Sequence, residues 1–348
     1  MNTLGVFVLN MLILAGLTLA ALYAVAIGAN DMANVVAALI GGGVTSYKIA
    51  IIVFAISVIL GSLLQGYMVM KTLGMGIFSE LDTIGAISAS LAAFTWVLLA
   101  SALGLPVSTS QSITSGVLGV GLLYVLRTGD YSAVNFNVVV AIITSWTISP
   151  LLAIFASAGV YLFLDKLFKG IKPRNGTREL AVALACWNGY SFGANDVANA
   201  TGVYLAVAAT APILSVVDVR IFLALYGAIF IVLGGVFLGE KVVETMAFKI
   251  TRLDPIGSVS SYLITASSVW LFTTIPYILL GYGFPVSTTY ISVGSIMGTG
   301  IAKYKSIKKG LNLKVVLTIL LSWALTLPIT ASLSAGLYYG LTTLLRGV

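Results

Sequence analysis

The 348 residues are 59% hydrophobic and only 8% charged, with a net charge of +7. Soluble domains carry about 25% charged residues, so no water-soluble fold of useful size fits this composition. The single Cys186 excludes an internal disulfide framework, and the complete absence of His removes the commonest proton relay near neutral pH.

The first stretch lacks a basic n-region, its first cation being Lys48, and it runs straight into the polar element Gly28-Ala29-Asn30-Asp31-Met32-Ala33-Asn34. It reads as a retained span over 3–40 rather than a cleaved signal. Apolar runs predict further spans over 46–72, 85–103, 106–126 and 134–164, then over 179–208, 219–249, 258–281, 284–303 and 313–345. Loop 73–84 contains Glu80 and Asp82 and no base, and loop 127–137 has only Arg127 and Asp130. The linker 165–178 carries Lys166, Lys169, Lys172, Arg174 and Arg178 against Asp165, and loop 303–314 carries Lys303, Lys305, Lys308, Lys309 and Lys314 without an acid. Pro150 and Pro328 are expected to break the long segments 134–164 and 313–345, each of which exceeds the ~20 residues of one crossing. The fold expected is an all-α polytopic membrane protein of roughly 10–12 segments. Cys186, beside Trp187, is expected as packing volume.

The chain is duplicated. Gly28–Asn34 returns as Gly193-Ala194-Asn195-Asp196-Val197-Ala198-Asn199. Gly104-Leu105-Pro106-Val107-Ser108-Thr109-Ser110 returns as Gly283-Phe284-Pro285-Val286-Ser287-Thr288-Thr289. Ser145-Trp146 with Pro150 echoes Ser322-Trp323 with Pro328, and Leu60-Gly61 with Thr72 echoes Leu233-Gly234 with Thr245. The order is the same in both halves, which is a repeat signal. The units are a membrane repeat over 1–164, the basic linker 165–178 and a second membrane repeat over 179–348. Basic loops favour the cytoplasm, and the equivalents of those loops in the first half are not basic. The second repeat is therefore inverted relative to the first. Re-entrant hairpins at 85–126 and 258–303 keep that parity.

Of the eleven acidic residues, only Asp31 and Asp196 fall in the middle of long apolar segments. A charge there costs about 2.5–3.5 kcal/mol on insertion scales and marks a functional site by default. Gly28 and Gly193 are expected to interrupt their helices, with Asn or Asp capping the restarted half. Asn34 and Asn199 then follow Asn30 and Asn195 on the same face. In the Pro-Val-Ser-Thr elements, Pro suits a first helical turn, and the Ser and Thr hydroxyls sit beside free N–H groups at the positive end of the helix dipole. Such a terminus is an anion site. Two carboxylates make the centre negative, and no Lys or Arg lies deep enough to neutralise an anion. A small oxyanion must therefore enter with cations. Carboxylates, Asn carbonyls and hydroxyls are the hard oxygen ligands Na⁺ takes, and a protonated phosphate can donate its P–OH to a carboxylate, as sulfate cannot.

Twin Gly-Ala-Asn-Asp-x-Ala-Asn elements, each followed by Gly-x-Pro-Val-Ser-Thr, resemble the PiT family of inorganic phosphate transporters over nearly the whole chain. The resemblance implies a multi-pass protein of the cell membrane that imports phosphate in symport with Na⁺ or H⁺, with an inverted repeat and commonly a homodimer. It assigns phosphate binding to Asn30, Asp31, Ser108, Thr109, Ser110, Asn195, Asp196, Ser287, Thr288 and Thr289. Asp31, Asn34, Asp196, Asn199, Ser108 and Ser287 are the expected Na⁺ ligands. No cofactor is expected beyond Na⁺ as coupling ion, and the positive charge reads as membrane orientation rather than nucleic-acid binding. Family members often carry His directly after the Ser-Thr element, whereas Gln111 and Tyr290 stand here, which favours Na⁺ over H⁺. The competing readings are a proton-coupled phosphate or sulfate permease and, from another class, an ion channel, which would need an open selectivity pore. With no His, no Cys pair and no nucleophile–base constellation, the chain does not read as an enzyme.

Overall fold

Each half opens with a long helix that bears the Asn-Asp element. The structure, a computed structural model, describes residues 3–168, 175–205 and 218–346. Lys169, Lys172 and Arg174 of the linker, and the end of the expected span 179–208, lie outside the described residues. The first half comprises α1 (Thr3–Gly41), α2 (Tyr47–Gln65), α3 (Tyr67–Lys71), α4 (Thr83–Ala102), α5 (Thr109–Thr128) and α6 (Phe136–Leu167). The second comprises α7 (Asn175–Thr201), α8 (Val219–Leu238), α9 (Glu240–Glu244), α10 (Pro255–Leu280), α11 (Thr288–Tyr304), α12 (Ile307–Gly310) and α13 (Leu313–Arg346). Eight of these helices are long and apolar enough to cross a bilayer. The two remaining expected spans, the Asn-rich α7 and the 17-residue α11, carry the second copies of the polar motifs. Bulky apolar side chains such as Leu152 and Phe155 on α6 and Leu317 and Leu321 on α13 are exposed, as lipid-facing surfaces are. This is an all-α polytopic membrane protein.

The helices do not break where the sequence suggests. α1 runs unbroken through Gly28 and α7 through Gly193, and α6 and α13 continue through Pro150 and Pro328, so no crossing is added. Proline is tolerated in membrane helices because neighbouring helices and hydroxyls satisfy the freed backbone groups. The glycines serve close packing instead. A Cβ on Gly28 would stand 1.9 Å from the Ile231 carbonyl oxygen of α8, and one on Gly193 would stand 2.2 Å from the Val58 oxygen of α2. Gly234 and Gly61 answer them, with Cβ positions 2.0 Å from the Val25 oxygen and 1.9 Å from the Tyr190 oxygen. Backbones touch at both crossings, the mode by which small residues join membrane helices.

The helix interruptions that do occur are at Gly66 and Gly239, each followed by a short helix and one π-helical turn (Thr72–Gly76 and Thr245–Lys249). Val197 and Met32, the residues directly after the two buried Asp, fill the space a Cβ would need there. Cys186 is exposed on α7 rather than packed.

The two halves interlock. α1 packs on α4 and α8, and α7 packs in the same way on α10 and α2. The last long helix of each half lies on the hairpin of the other, α6 against α11 and α13 against α5. Tyr161 at the end of α6 donates to Asp254 at 3.1 Å, and Lys303 pairs with the same carboxylate at 3.0 Å. The linker therefore leaves at the end of the molecule that holds loop 303–314. At the other end, Tyr338 donates to Asp82 at 3.3 Å and Arg127 stacks over Tyr339 at 4.6 Å. α13 connects the two ends, since Leu313 and Tyr338 are roughly 37 Å apart at 1.5 Å per residue. The equivalent loops 127–137 and 303–314 thus face opposite ends, as inverted repeats require.

With Cys186 replaced by Ser, a cysteine placed at Asn175 or Ser306 should react with an impermeant maleimide from the cytoplasm, and one at Asp130 from the opposite side. Reaction of the 130 and 306 positions from one side would rule out the inverted arrangement.

Candidate functional site

The turns that join α4 to α5 and α10 to α11 are the two Gly-x-Pro-Val-Ser elements, and each is fastened to an Asn-Asp helix. Asn30 donates from Nδ2 to the Leu105 carbonyl and accepts at Oδ1 from the Val107 N–H, both at 3.0 Å. Asn195 donates to the Val286 carbonyl at 2.9 Å and accepts from the Val286 N–H at 3.3 Å. Trp323 donates to the Pro106 carbonyl at 2.9 Å and Trp146 to the Pro285 carbonyl at 3.4 Å, so each turn is also held by the opposite half's last helix. α1 continues ten residues, about 15 Å, beyond Asp31. The first turn therefore sits deep inside the molecule, as the tip of a re-entrant hairpin would.

Ser108 and Ser287 cap α5 and α11 by accepting from the Gln111 and Tyr290 N–H groups at 3.0 and 3.1 Å. The hydroxyls that follow turn inward. Thr109 donates to Asp31 at 2.6 Å and lies 3.3 Å from Asp196, so one hydroxyl reaches both carboxylates. Thr289 donates to the other oxygen of Asp31 at 3.0 Å. Asp196 accepts from Asn199 at 2.7 Å and Asn195 at 3.2 Å, with Ser110 at 3.5 Å. Asn34 donates to Thr289 at 3.1 Å and Thr288 at 3.4 Å, and Asn199 donates to Ser110 at 2.9 Å. The two motif copies therefore form one centre, not two.

Every sequence-predicted site residue is buried here. Asn30, Asp31, Asn34, Ser108, Thr109, Ser110, Asn195, Asp196, Asn199, Ser287, Thr288 and Thr289 are all at most 3% exposed. Among the described residues no Lys or Arg side chain is buried. The Oδ1 atoms of Asn34 and Asn199 are buried without a hydrogen-bond partner, each one helical turn beyond a carboxylate. Buried polar atoms are nearly always satisfied, so a matched pair of open oxygens beside two carboxylates fits a cation on each. The first N–H groups of α5 and α11 have no intrahelical partner and face the same centre.

Three contributors escaped the sequence reading. Tyr23 donates to the Thr109 carbonyl at 2.7 Å, Asn188 donates to the Asn34 carbonyl at 2.8 Å, and Tyr262 links the Val35 carbonyl to the Leu39 N–H. Tyr23 and Asn188 each precede the buried Asp by eight residues, two helical turns, and that spacing is the signal that marks them.

A sequence profile described as the phosphate transporter family matches residues 27–334. The chain belongs to this family. It is similar to the solved structure of a sodium-dependent phosphate transporter at 28% identity and a TM-score of 0.80, covering 96% of this chain and 99% of that one. A Pyrococcus furiosus protein that bears the name of a phosphate permease is 28% identical over 92% of this chain and 94% of its own. The Bacillus subtilis sulfate permease CysP is 30% identical over 83% of this chain and 77% of its own.

In this family member the two Asn that precede the Asp serve the turns. Asn30→Ala leaves the Leu105 carbonyl and the Val107 N–H unpaired, and Asn195→Ala leaves the Val286 N–H unpaired while Ser110 still donates to the Val286 carbonyl, at about 1–3 kcal/mol per group. Each should lower the thermal midpoint of the detergent-solubilised protein by several degrees, and unchanged melting in both would contradict this role.

Proposed function

We propose that this chain is a secondary active transporter that imports inorganic phosphate together with Na⁺. Alternating access would be achieved by the inverted halves 1–164 and 179–348, with the basic linker 165–178 in the cytoplasm. The observation that carries the reading is Thr109, whose hydroxyl lies within reach of both buried carboxylates. Phosphate could not approach two negative charges unless cations came with it, so coupling follows from electrostatics. Asp31 with Asn34 and Asp196 with Asn199 take the cations, with Ser108 and Ser287 beside them. Thr109, Ser110, Thr288 and Thr289, and the N–H groups that open α5 and α11, take the phosphate oxygens. Asn30 and Asn195 keep those helix starts in place. The similarity to a sodium-dependent phosphate transporter supports the choice of both ions.

We further infer that two copies associate in the membrane. Gly159 on α6 and Gly336 and Gly340 on α13 have open space around them, and small residues of this kind let helices of separate chains approach. Sulfate is the second reading, favoured by the similarity to a sulfate permease. A fully ionised sulfate has no proton to donate to a carboxylate, so phosphate remains the better substrate for this centre.

In proteoliposomes, Asp31→Asn and Asp196→Asn should each reduce Na⁺-driven phosphate uptake to background while the protein elutes as a folded species. Uptake near wild type in both variants would sink the assignment.

The ion is tested separately. Replacing external Na⁺ by K⁺ should abolish accumulation at constant pH, and excess sulfate should compete poorly. Robust accumulation in Na⁺-free medium under an inward proton gradient would overturn Na⁺ coupling.

A further inference from the structure

The end of the molecule that carries loop 303–314 holds a cavity of about 590 Å³, far in sequence and position from the two carboxylates. It opens where the π-helical turn after α9 meets the segment between α11 and α13, and its lining includes Phe248, Lys249, Thr251, Arg252, Tyr304 and Lys309. Lys249 is paired with Glu244 at 3.1 Å, and nearby Lys303 with Asp254 at 3.0 Å. Arg252 and Lys309 form no ion pair among the described residues, and both are exposed. The Thr251 hydroxyl is buried and has no hydrogen-bond partner. The cavity thus presents two unneutralised cations, with an unpartnered hydroxyl buried in its wall, a set suited to a phosphate group. Arg adds a fork that binds phosphate through two parallel hydrogen bonds.

The surroundings decide which phosphate. Apolar side chains belong to the same lining, with Phe248 56% exposed and Val315 of α13 half-buried. A free inorganic anion gains nothing from such a flank, whereas an acyl chain does. Basic loops place this end in the cytoplasm, where the leaflet is rich in anionic lipid. We propose that the cavity binds the headgroup phosphate of an anionic phospholipid from the cytoplasmic leaflet, with the acyl chains along Phe248 and Val315.

The test uses the full-length protein in nanodiscs of phosphatidylcholine doped with phosphatidylglycerol, with retained lipid counted by native mass spectrometry. Arg252→Gln with Lys309→Gln should lower phosphatidylglycerol retention by roughly tenfold or more, since it removes the direct charge-assisted hydrogen bonds to the headgroup phosphate. Lys305→Gln with Lys308→Gln removes the same charge from outside the cavity lining and should change retention by about twofold at most, the scale of an exposed and screened charge that makes no contact with the headgroup. All four side chains are exposed or solvent-directed, so both variants should melt with the wild type. Equal losses in the two double variants would mean diffuse surface attraction and overturn the proposal. Displacement of the lipid by millimolar inorganic phosphate would also overturn it, by making the cavity a free-phosphate site.

Discussion

The architecture depends on holding two carboxylates side by side where water is excluded. Each ionised Asp in such a place costs about 2.5–3.5 kcal/mol even on lenient insertion scales. Their sum is a large share of the 5–15 kcal/mol that separates a folded protein from its unfolded chain. Hydrogen bonds to charged groups contribute about 1.5–3 kcal/mol each, so the two hydroxyls on Asp31 and the two amides on Asp196 are of the right size to offset the burial. They do not cancel the mutual repulsion of the two groups, which Thr109 brings within reach of one another. That residual repulsion is the reservoir a bound cation would relieve, and under the proposed function it explains how a centre for anions can be built from acids.

Placing those donors takes four elements from two halves. Thr109 and Thr289 are the first and second residues after their capping Ser, so their position follows from where α5 and α11 begin. That start is set by Asn30 and Asn195 from the Asn-Asp helices and by Trp323 and Trp146 from the last helices, each indole coming from the opposite half. The glycine crossings complete the frame, because α1 can touch α8, and α7 can touch α2, only if no side chain intervenes. Neither half can form the site alone. The duplication is therefore an assembly device as much as an evolutionary trace.

Much of this is legible in the sequence because membranes simplify the code. Long apolar runs became helices with ends within a few residues of those expected, and loop charge anticipated which loops share an end. The polar residues of both motif pairs converge, since buried charge in an apolar chain has few alternatives. What was misread was the local meaning of glycine and proline. Gly28 and Gly193 looked like helix breakers, yet in a membrane an unsatisfied backbone group is so costly that the helix continues and the missing Cβ is used for contact. The breaks moved to Gly66 and Gly239, which no motif marks. The hydrogen bonds of Asn30 and Asn195 to the turns were also beyond sequence, because an Asn that holds a turn has the same letter as one that does not.

Symmetry breaking carries the last piece of mechanism. If the halves were identical, inward-facing and outward-facing arrangements would be related by a two-fold rotation and equal in energy, and only gradients would set direction. The chain departs from identity at a few buried places. Gln111 and Tyr290 are equivalent by sequence, yet Tyr290 donates to Gln111 and stacks on Trp323 at 3.8 Å, so a bond between the halves has no symmetric copy. Tyr23 braces the backbone of α5, while its counterpart Asn188 braces the Asn34 carbonyl on the opposite Asn-Asp helix. Ser110 spends its hydroxyl on the Val286 carbonyl, while its counterpart Thr289 spends its own on Asp31. These contacts are made in the arrangement described, and the arrangement related to it by the two-fold axis would have to exchange them for others. Under the proposed function, the resting preference of the transporter would therefore be written in these three unequal pairs rather than in the twin motifs proposed to bind the ions.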